Sequence, residues 1–167
     1  MNLLPTADQV QIIDALRSFL QAQGPLSSSQ GSTGPAGHDR GIGGAGLWSG
    51  LAELGALGLS IAEENGGTGL TAAEEMLAFR EFGRALLSPA VLGTCLGARL
   101  AAHCGDRTLL GEILAGRQRV GLANPRGAAT IGPATTGAFH LIAAQDATLV
   151  LACDGQGAAL LRRPAPG

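Results

Sequence analysis

The sequence contains no lysine and no tyrosine, so its eleven basic residues are all arginines. Thirteen acidic residues leave a formal net charge of −2. The arginines are scattered and form no basic stripe of the kind that neutralises a phosphate backbone. A nucleic acid is therefore not an expected partner.

Cysteine is scarce, and its spacing excludes several uses. Cys95, Cys104 and Cys153 show neither a CxxC motif nor the ligand spacing of a zinc site. Cys95 and Cys104 are predicted to share a helix, about 13 Å apart, which is beyond disulfide reach. The histidines and carboxylates assemble no nucleophile triad or metal site, so we assign no catalytic residue and no metal ligand. Reduced thiols favour a cytoplasmic protein.

Long apolar runs are also missing. The uncharged and largely apolar stretch 86–98 is too short for a bilayer, which needs about 20 apolar residues, and it contains Pro89. The amino terminus lacks the basic head and long apolar core of a signal peptide. We expect a soluble protein with no membrane span. Its 167 residues are enough to bury a core.

Helical patterns occupy the chain up to residue 119. Thr6 and Gln9 form a capping box that predicts a helix over 7–23. Residues 25–46 are rich in Gly, Ser and Pro and predict a flexible loop. The loop ends in a GxGxxG pattern at 41–46, but no strand pattern precedes it, so we reject a nucleotide site there.

Residues 47–87 predict two helices joined by a glycine turn. The first should run from Leu47 to near Gly58, because glycine weakens helices. The turn glycines, Gly66, Gly67 and Gly69, are expected to adopt positive φ. A capping box of Thr71 and Glu74 starts the second helix. The apolar side chains expected along one face of this helix are those of Met76, Phe79, Phe82 and Leu86.

Two further helices follow. Ser88 before Pro89 is a good N-cap, and the apolar residues Leu92, Leu96 and Leu100 continue a helical face to about Cys104. Asp106 caps a fifth helix that Gly116 closes. The fold class is thus mainly α: an up-down bundle of about five helices over residues 1–119.

After Arg119 the pattern changes to short apolar runs that predict strands at 120–123, 138–143, 148–153 and 158–161. Asp154-Gly155 marks a turn between the last two. Residues 120–167 therefore form a small β segment. Such a sheet is marginal alone and must pack against the helices or against further polypeptide.

The run LWSGLAELGALGLSIAEENGGTGLTAAEEMLAFREFGRALL, from Leu47 to Leu87, resembles the amino-terminal helical domain of acyl-CoA dehydrogenases. That family has a Trp opening a helix, an ELG-x-LGL end, a P-E-E-x-GG-x-G turn and a second helix ending in E-x-GR. Ala62 stands where the family usually has Pro. The resemblance implies that residues 120–167 are a shortened start of the family's middle β domain.

The resemblance also implies a function. It is the α,β-dehydrogenation of an acyl-CoA thioester with FAD as hydride acceptor, in an oligomer with another acyl-CoA dehydrogenase subunit, with electrons leaving through an electron-transfer flavoprotein. This chain is then one portion or subunit of the enzyme. The alternative is a non-catalytic subunit that scaffolds a catalytic partner and does not bind FAD. A plain helical interaction domain is a third, more remote reading.

The same resemblance implies site residues. Residues 121–125, GLANP, take the place of the flavin-binding A-x-T-E-P segment, which leaves the backbone amides of Leu122 and Ala123 as cofactor contacts. Ala123 replaces the Thr, Asn124 the Glu, and 128–130 the Gly-Ser-Asp. The alternative is that these residues have no cofactor role and form only an interdomain strand and loop.

Leu92 and Leu96 lie on the helix that lines the acyl pocket in the family, with core packing as their alternative role. The family's catalytic glutamate has no counterpart. The carboxylates of this chain are expected in a turn, a cap and a helix surface, at Glu63, Glu64, Glu74, Glu75 and Glu81.

Overall fold

The computed structural model describes residues 4–23, 45–132 and 134–163. Within them the chain forms five α-helices followed by four strands, which confirms the predicted fold class. The elements are α1 (Ala7–Ala22), α2 (Ala45–Glu53), α3 (Ala72–Arg84), α4 (Ala90–His103), α5 (Arg107–Leu114), β1 (Val120–Thr130), β2 (Thr136–Ile142), β3 (Leu149–Cys153) and β4 (Ala158–Arg162). The predicted flexible loop and most of the GxGxxG pattern lie outside the described residues.

The chain divides into two compact units between Leu87 and Ser88. The first contains α1 to α3, and the second contains α4, α5 and the sheet. The predicted domain boundary at residues 119 and 120 stays a prediction. It coincides with the change from helix to strand, whereas the division into compact units groups the last two helices with the sheet.

In the first unit, α1 begins with the predicted capping box, in which Thr6 and Gln9 satisfy each other's backbone amides. Its buried side chains are Ile13, Leu16 and Leu20. Two polar contacts join α1 to α3. The Gln9 amide donates to Glu74 Oε1 at 2.6 Å, and Arg17 Nε donates to Glu81 Oε2 at 3.2 Å.

Helix α2 ends earlier than the sequence predicts. It stops at Glu53, because Gly55 already adopts a left-handed φ of +67° and breaks the helical run. The predicted end near Gly58 is therefore wrong. Trp48 and Leu51 are buried, whereas Leu54, which follows the last helical residue, is exposed.

The glycine turn combines two different requirements. Gly66 and Gly69 adopt positive φ, as predicted. Gly67 does not, and it is needed for space: a Cβ there would lie 2.1 Å from the Ile61 carbonyl oxygen. The capping box of Thr71 and Glu74 then starts α3, as predicted.

The buried face of α3 differs from the predicted stripe. Phe82 is buried, and Phe79 meets it edge-on with ring centroids 5.5 Å apart. Met76 and Leu86 are exposed, so the predicted apolar stripe is not the buried face of the helix. Leu86 lies beyond the helix end, and Glu81 occupies a buried position that the apolar pattern did not predict.

The second unit is built around a sheet with strand order β2-β1-β3-β4. β1 is antiparallel to β2 and parallel to β3, and β4 is antiparallel to β3. β1 runs on to Thr130 as one arm of a hairpin, beyond its predicted end at Ala123. The Asp154 turn is confirmed, with its carboxylate accepting from the amides of Gln156 and Gly157.

Candidate functional site

Helix α4 has two distinct faces. The buried face carries mostly small residues, namely Ala90, Val91, Gly93, Thr94, Cys95, Gly97, Ala98 and Ala101. The opposite face carries the leucines: Leu92 is 40% exposed, and Leu96 and Leu100 are half-buried. The contribution of α4 to the core of this unit therefore comes mostly from small residues, and core packing does not explain Leu92.

The small face of α4 lies directly against the start of β1. A Cβ on Gly93 would come within 2.4 Å of the Val120 carbonyl oxygen, and one on Gly97 within 2.9 Å of the Val120 side chain. The Val120 amide donates to Thr94 Oγ1 at 3.0 Å, and Thr94 is fully buried. The two glycines permit a close approach, and the threonine fixes it with a hydrogen bond.

The beginning of α4 differs slightly from the prediction. Pro89 occupies the N-cap position in place of Ser88. The Ser88 hydroxyl instead accepts from the Ala90 amide at 3.2 Å, two residues further along. The start of the helix is thus shifted by one residue, and Ser88 still satisfies one of its free amides.

Leu122 and Ala123 lie in β1 where the strand is paired on both sides. Leu122 is opposite Ile142 of β2 and Leu151 of β3, and Ala123 is opposite Leu141 and Ala152. Each backbone amide of a strand points towards one neighbour or the other, so both amides face partner strands. A flavin contact at these amides stays a prediction, one that this pairing does not favour.

The side chains around these amides offer few replacements for the flavin donors that the resemblance implies. Ala123 is buried in the sheet core with Ala144, Val150 and Ala152. Asn124 is exposed, and the hydroxyls of Thr130 and Thr136 share one hydrogen bond at 3.0 Å. We conclude that these residues do not fit the edge of a flavin ring, whose acceptors would lack donors at about 1–3 kcal/mol each.

Glu81 was expected on a helix surface, but it is 3% exposed and ringed by arginines. Its carboxylate accepts from Arg17 Nε at 3.2 Å, and from Arg80 Nε and an Arg84 guanidinium nitrogen, both at 3.3 Å. Burial raises the pKa of Glu81, but hydrogen bonds and charge from these arginines outweigh it and hold the pKa below its ordinary value. Such a group stays ionised and suits a structural role better than proton abstraction.

Glu74 is likewise held by hydrogen bonds that stabilise its charged form. Hydrogen bonds from Gln9 and Thr71 lower the pKa of Glu74 to about 2. Within the described ranges, no group of three His, Cys, Asp or Glu side chains could hold a metal ion. Cys95, Cys104 and Cys153 form no disulfide. None of the described helices is long and apolar enough to cross a bilayer.

The roles of Thr94 and of the arginines around Glu81 were not predicted, although the sequence contains a pattern that indicates each. Thr94 lies in a Gly-Thr-x-x-Gly pattern, Gly93 to Gly97, which is typical of a helix face in close contact with another backbone. Arg84 follows Glu81 at three residues, a spacing that brings opposite charges together on a helix. The contribution of Arg17 from α1 had no local signal.

Solved structures share this fold. The Tcur3481-Tcur3483 steroid ACAD matches with a TM-score of 0.58 and 19% identity, covering 97% of this chain and 49% of that one. The ChsE4-ChsE5 complex from Mycobacterium tuberculosis matches with a TM-score of 0.65 and 16% identity, over 91% and 43%. PigA with FAD and proline gives a TM-score of 0.65 and 16% identity, over 100% and 51%.

The chain spans about half the length of these solved relatives. No curated protein gives a significant match. The family model for the amino-terminal domain of acyl-CoA dehydrogenases matches residues 6–115, about two thirds of the sequence. The chain therefore belongs to the acyl-CoA dehydrogenase family and carries its amino-terminal helical domain.

Proposed function

We propose that the chain is one portion or subunit of an acyl-CoA dehydrogenase that introduces an α,β double bond into an acyl-CoA thioester. The observation that carries the proposal is the family match over residues 6–115. The hydride acceptor in this proposal is FAD, held mainly by other polypeptide, because the residues of β1 do not fit the flavin edge. The catalytic base likewise comes from elsewhere.

This chain contributes a wall for the acyl group. The supporting observation is the face of α4 that carries Leu92 and Leu96, which the sheet does not cover. An apolar acyl chain packs favourably on such a face, because contact removes apolar surface from water. The assembly includes a second acyl-CoA dehydrogenase subunit, and an electron-transfer flavoprotein accepts its electrons. The location in this proposal is cytoplasmic, which the absence of a disulfide among Cys95, Cys104 and Cys153 supports.

Co-expression tests the proposal. We expect the chain to co-purify as a yellow complex with a neighbouring acyl-CoA dehydrogenase subunit, and the flavin absorbance of that complex to bleach when an acyl-CoA is added. The matched control is the neighbouring subunit expressed alone. A colourless, monomeric chain in the presence of that subunit would count against the proposal.

A second candidate function is a scaffolding subunit that shapes the acyl pocket of a catalytic partner without binding FAD. The observation in its favour is the replacement of the family's flavin donors, with a buried methyl group at Ala123. If the purified chain alone retained stoichiometric FAD, this candidate would fail. This candidate would be supported if the dehydrogenase activity of the partner required the chain while the chain itself bound no FAD.

A further inference from the structure

We propose that Thr94 is a positioning residue for acyl-chain recognition, acting through the seat of α4 on β1; the inference rests on the proposed function. Thr94 itself touches no substrate. Its hydroxyl accepts the Val120 amide at 3.0 Å and is sealed inside the unit. Its role is to fix how far the leucine face of α4 stands from the sheet.

The geometry of one helix connects the two faces. Thr94 lies two residues from both Leu92 and Leu96, and two residues turn a helix by about 200°. The leucines therefore point away from the sheet when Thr94 points into it. Any change in the depth or rotation of α4 at Thr94 moves both leucines together, because they share its backbone.

The contact is stiff at its centre. Gly93 and Gly97 leave no room for a side chain between α4 and Val120, so the helix cannot move closer to the strand. The hydrogen bond from Val120 opposes its moving away, since separation would leave a buried amide without its acceptor. Val120 is itself held in the sheet opposite Leu149. We call the contact that Gly93, Thr94 and Gly97 make with Val120 the α4 seat.

The first measurement is hydrogen exchange at the Val120 amide in the whole chain. We expect this amide to be protected in the wild type and in Thr94→Ser, which keeps a hydroxyl acceptor, and to exchange faster in Thr94→Val. The matched control is Thr108→Val, which makes the same change at an exposed site on α5. Equal protection of the Val120 amide in Thr94→Val and the wild type would contradict the claim that Thr94 holds α4 against β1.

The second measurement uses the assembled complex with short, medium and long saturated acyl-CoA thioesters. We expect Thr94→Val to change the ratios of the KM values for the three acyl-CoA chain lengths. We also expect it to lower kcat/KM for the preferred acyl-CoA by on the order of tenfold to a hundredfold, because a misplacement of about 1 Å has that effect. Thr94→Ser should restore the wild-type pattern.

The outcomes separate the two proposals. Faster exchange of Val120 with an unchanged chain-length profile would overturn the positioning role and leave the proposed function intact. A wild-type complex that binds no acyl-CoA would overturn the proposed function and the positioning role together. A uniform loss of kcat at every chain length, with unchanged KM ratios, would also overturn the positioning role.

Discussion

At the residue scale, Glu81 is the least expected feature of the first unit. A carboxylate that is 3% exposed would be costly alone, and three arginines from two helices compensate it. Arg17 and Arg80 are partly exposed, so water solvates the arginines that neutralise the buried carboxylate. Together with the bond from Gln9 to Glu74, it forms a polar link between α1 and α3.

Replacing this carboxylate should destabilise the fold. Glu81→Gln removes the charge that the arginines surround and should lower the free energy of unfolding by about 1–3 kcal/mol, as measured by urea denaturation. The control is Glu64→Gln in the exposed turn, where we expect a change within about 0.5 kcal/mol. Equal effects of the two variants would contradict a structural role for Glu81.

Glu74 gives a prediction about pH. Its pKa falls from 4.5 to about 2 in the folded chain, first through the Gln9 side chain and then through Thr71. A lowered pKa means that the stabilisation is complete above the unfolded value and is lost as the pH falls towards about 2. Gln9→Met should raise the pKa of Glu74, as observed by NMR titration of its carboxyl carbon.

The control for that variant is Thr6→Ala. It removes the same capping box at the start of α1 but leaves the bond from Gln9 to Glu74 in place. We expect the pKa of Glu74 to stay low in Thr6→Ala. A similar rise in both variants would attribute the effect to fraying of α1.

Leu86 is strained and exposed. Its φ is +51°, in the left-handed region that favours glycine, and its side chain is 69% exposed. Leu86→Gly should therefore raise the free energy of unfolding by about 0.5–1 kcal/mol, because it relieves the strain and loses little burial. Leu86→Ala keeps the strain and serves as the comparison. Thermal unfolding that ranks Leu86→Gly below Leu86→Ala would contradict this account.

At the element scale, α4 and α5 contain glycines with opposite requirements. Gly93 faces the Val120 carbonyl across the α4 seat, and Gly111 on α5 faces open space. Gly93→Ala should cost about 1–3 kcal/mol through overpacking against backbone. Gly111→Ala should stabilise by about 0.5–1 kcal/mol, because alanine loses less entropy in a helix. Chemical denaturation of both variants checks the contrast, and the same sign in both would contradict it.

The elements themselves were largely predictable where the signal is local. Capping boxes at Thr6 and Thr71 and the cap at Asp106 are confirmed, because each rests on contacts within a few residues. The end of α2 was predicted too late, since Gly55 and Gly58 are both possible terminators in the sequence. Only the path of the following chain decides between them.

At the scale of the whole molecule, the sheet is left partly uncovered. β3 pairs with β1 only from Val120 to Ala123, so the rest of β1 is joined to β2 alone. Most side chains of this hairpin are exposed. Such a ribbon is marginal in water, so under the proposed function we expect another polypeptide of the assembly to cover it.

This cover can be tested at Leu141, an exposed apolar residue of the edge strand β2. Leu141→Arg should leave the stability of the chain alone within about 0.5 kcal/mol, and should weaken its co-elution with the partner subunit in size-exclusion chromatography. His140→Arg, on the opposite face of the same strand, is the control. Equal co-elution of the two variants would argue against an interface on the Leu141 face.

For the candidate site, too, the features that depend on neighbouring residues could be predicted, and those that depend on distant contacts could not. The family assignment came from the joints around Trp48 and Arg84, where turn and cap residues are read from the sequence directly. The site residues Leu92, Leu96, Leu122 and Ala123 stay predictions. Their surroundings, a helix face free of the sheet and a strand paired on both sides, depend on contacts between distant parts of the chain.

The sequence by itself determined that five helices are followed by four strands, which caps start three of the helices, and which family the chain resembles. These follow from periodicity, capping and turn chemistry, which act over a few residues. Only the tertiary structure decided that Glu81 is buried among arginines, that Met76 faces water, and that Thr94 holds Val120. Each of these depends on which side of a helix meets a distant segment, and the periodicity of one helix cannot specify its partner.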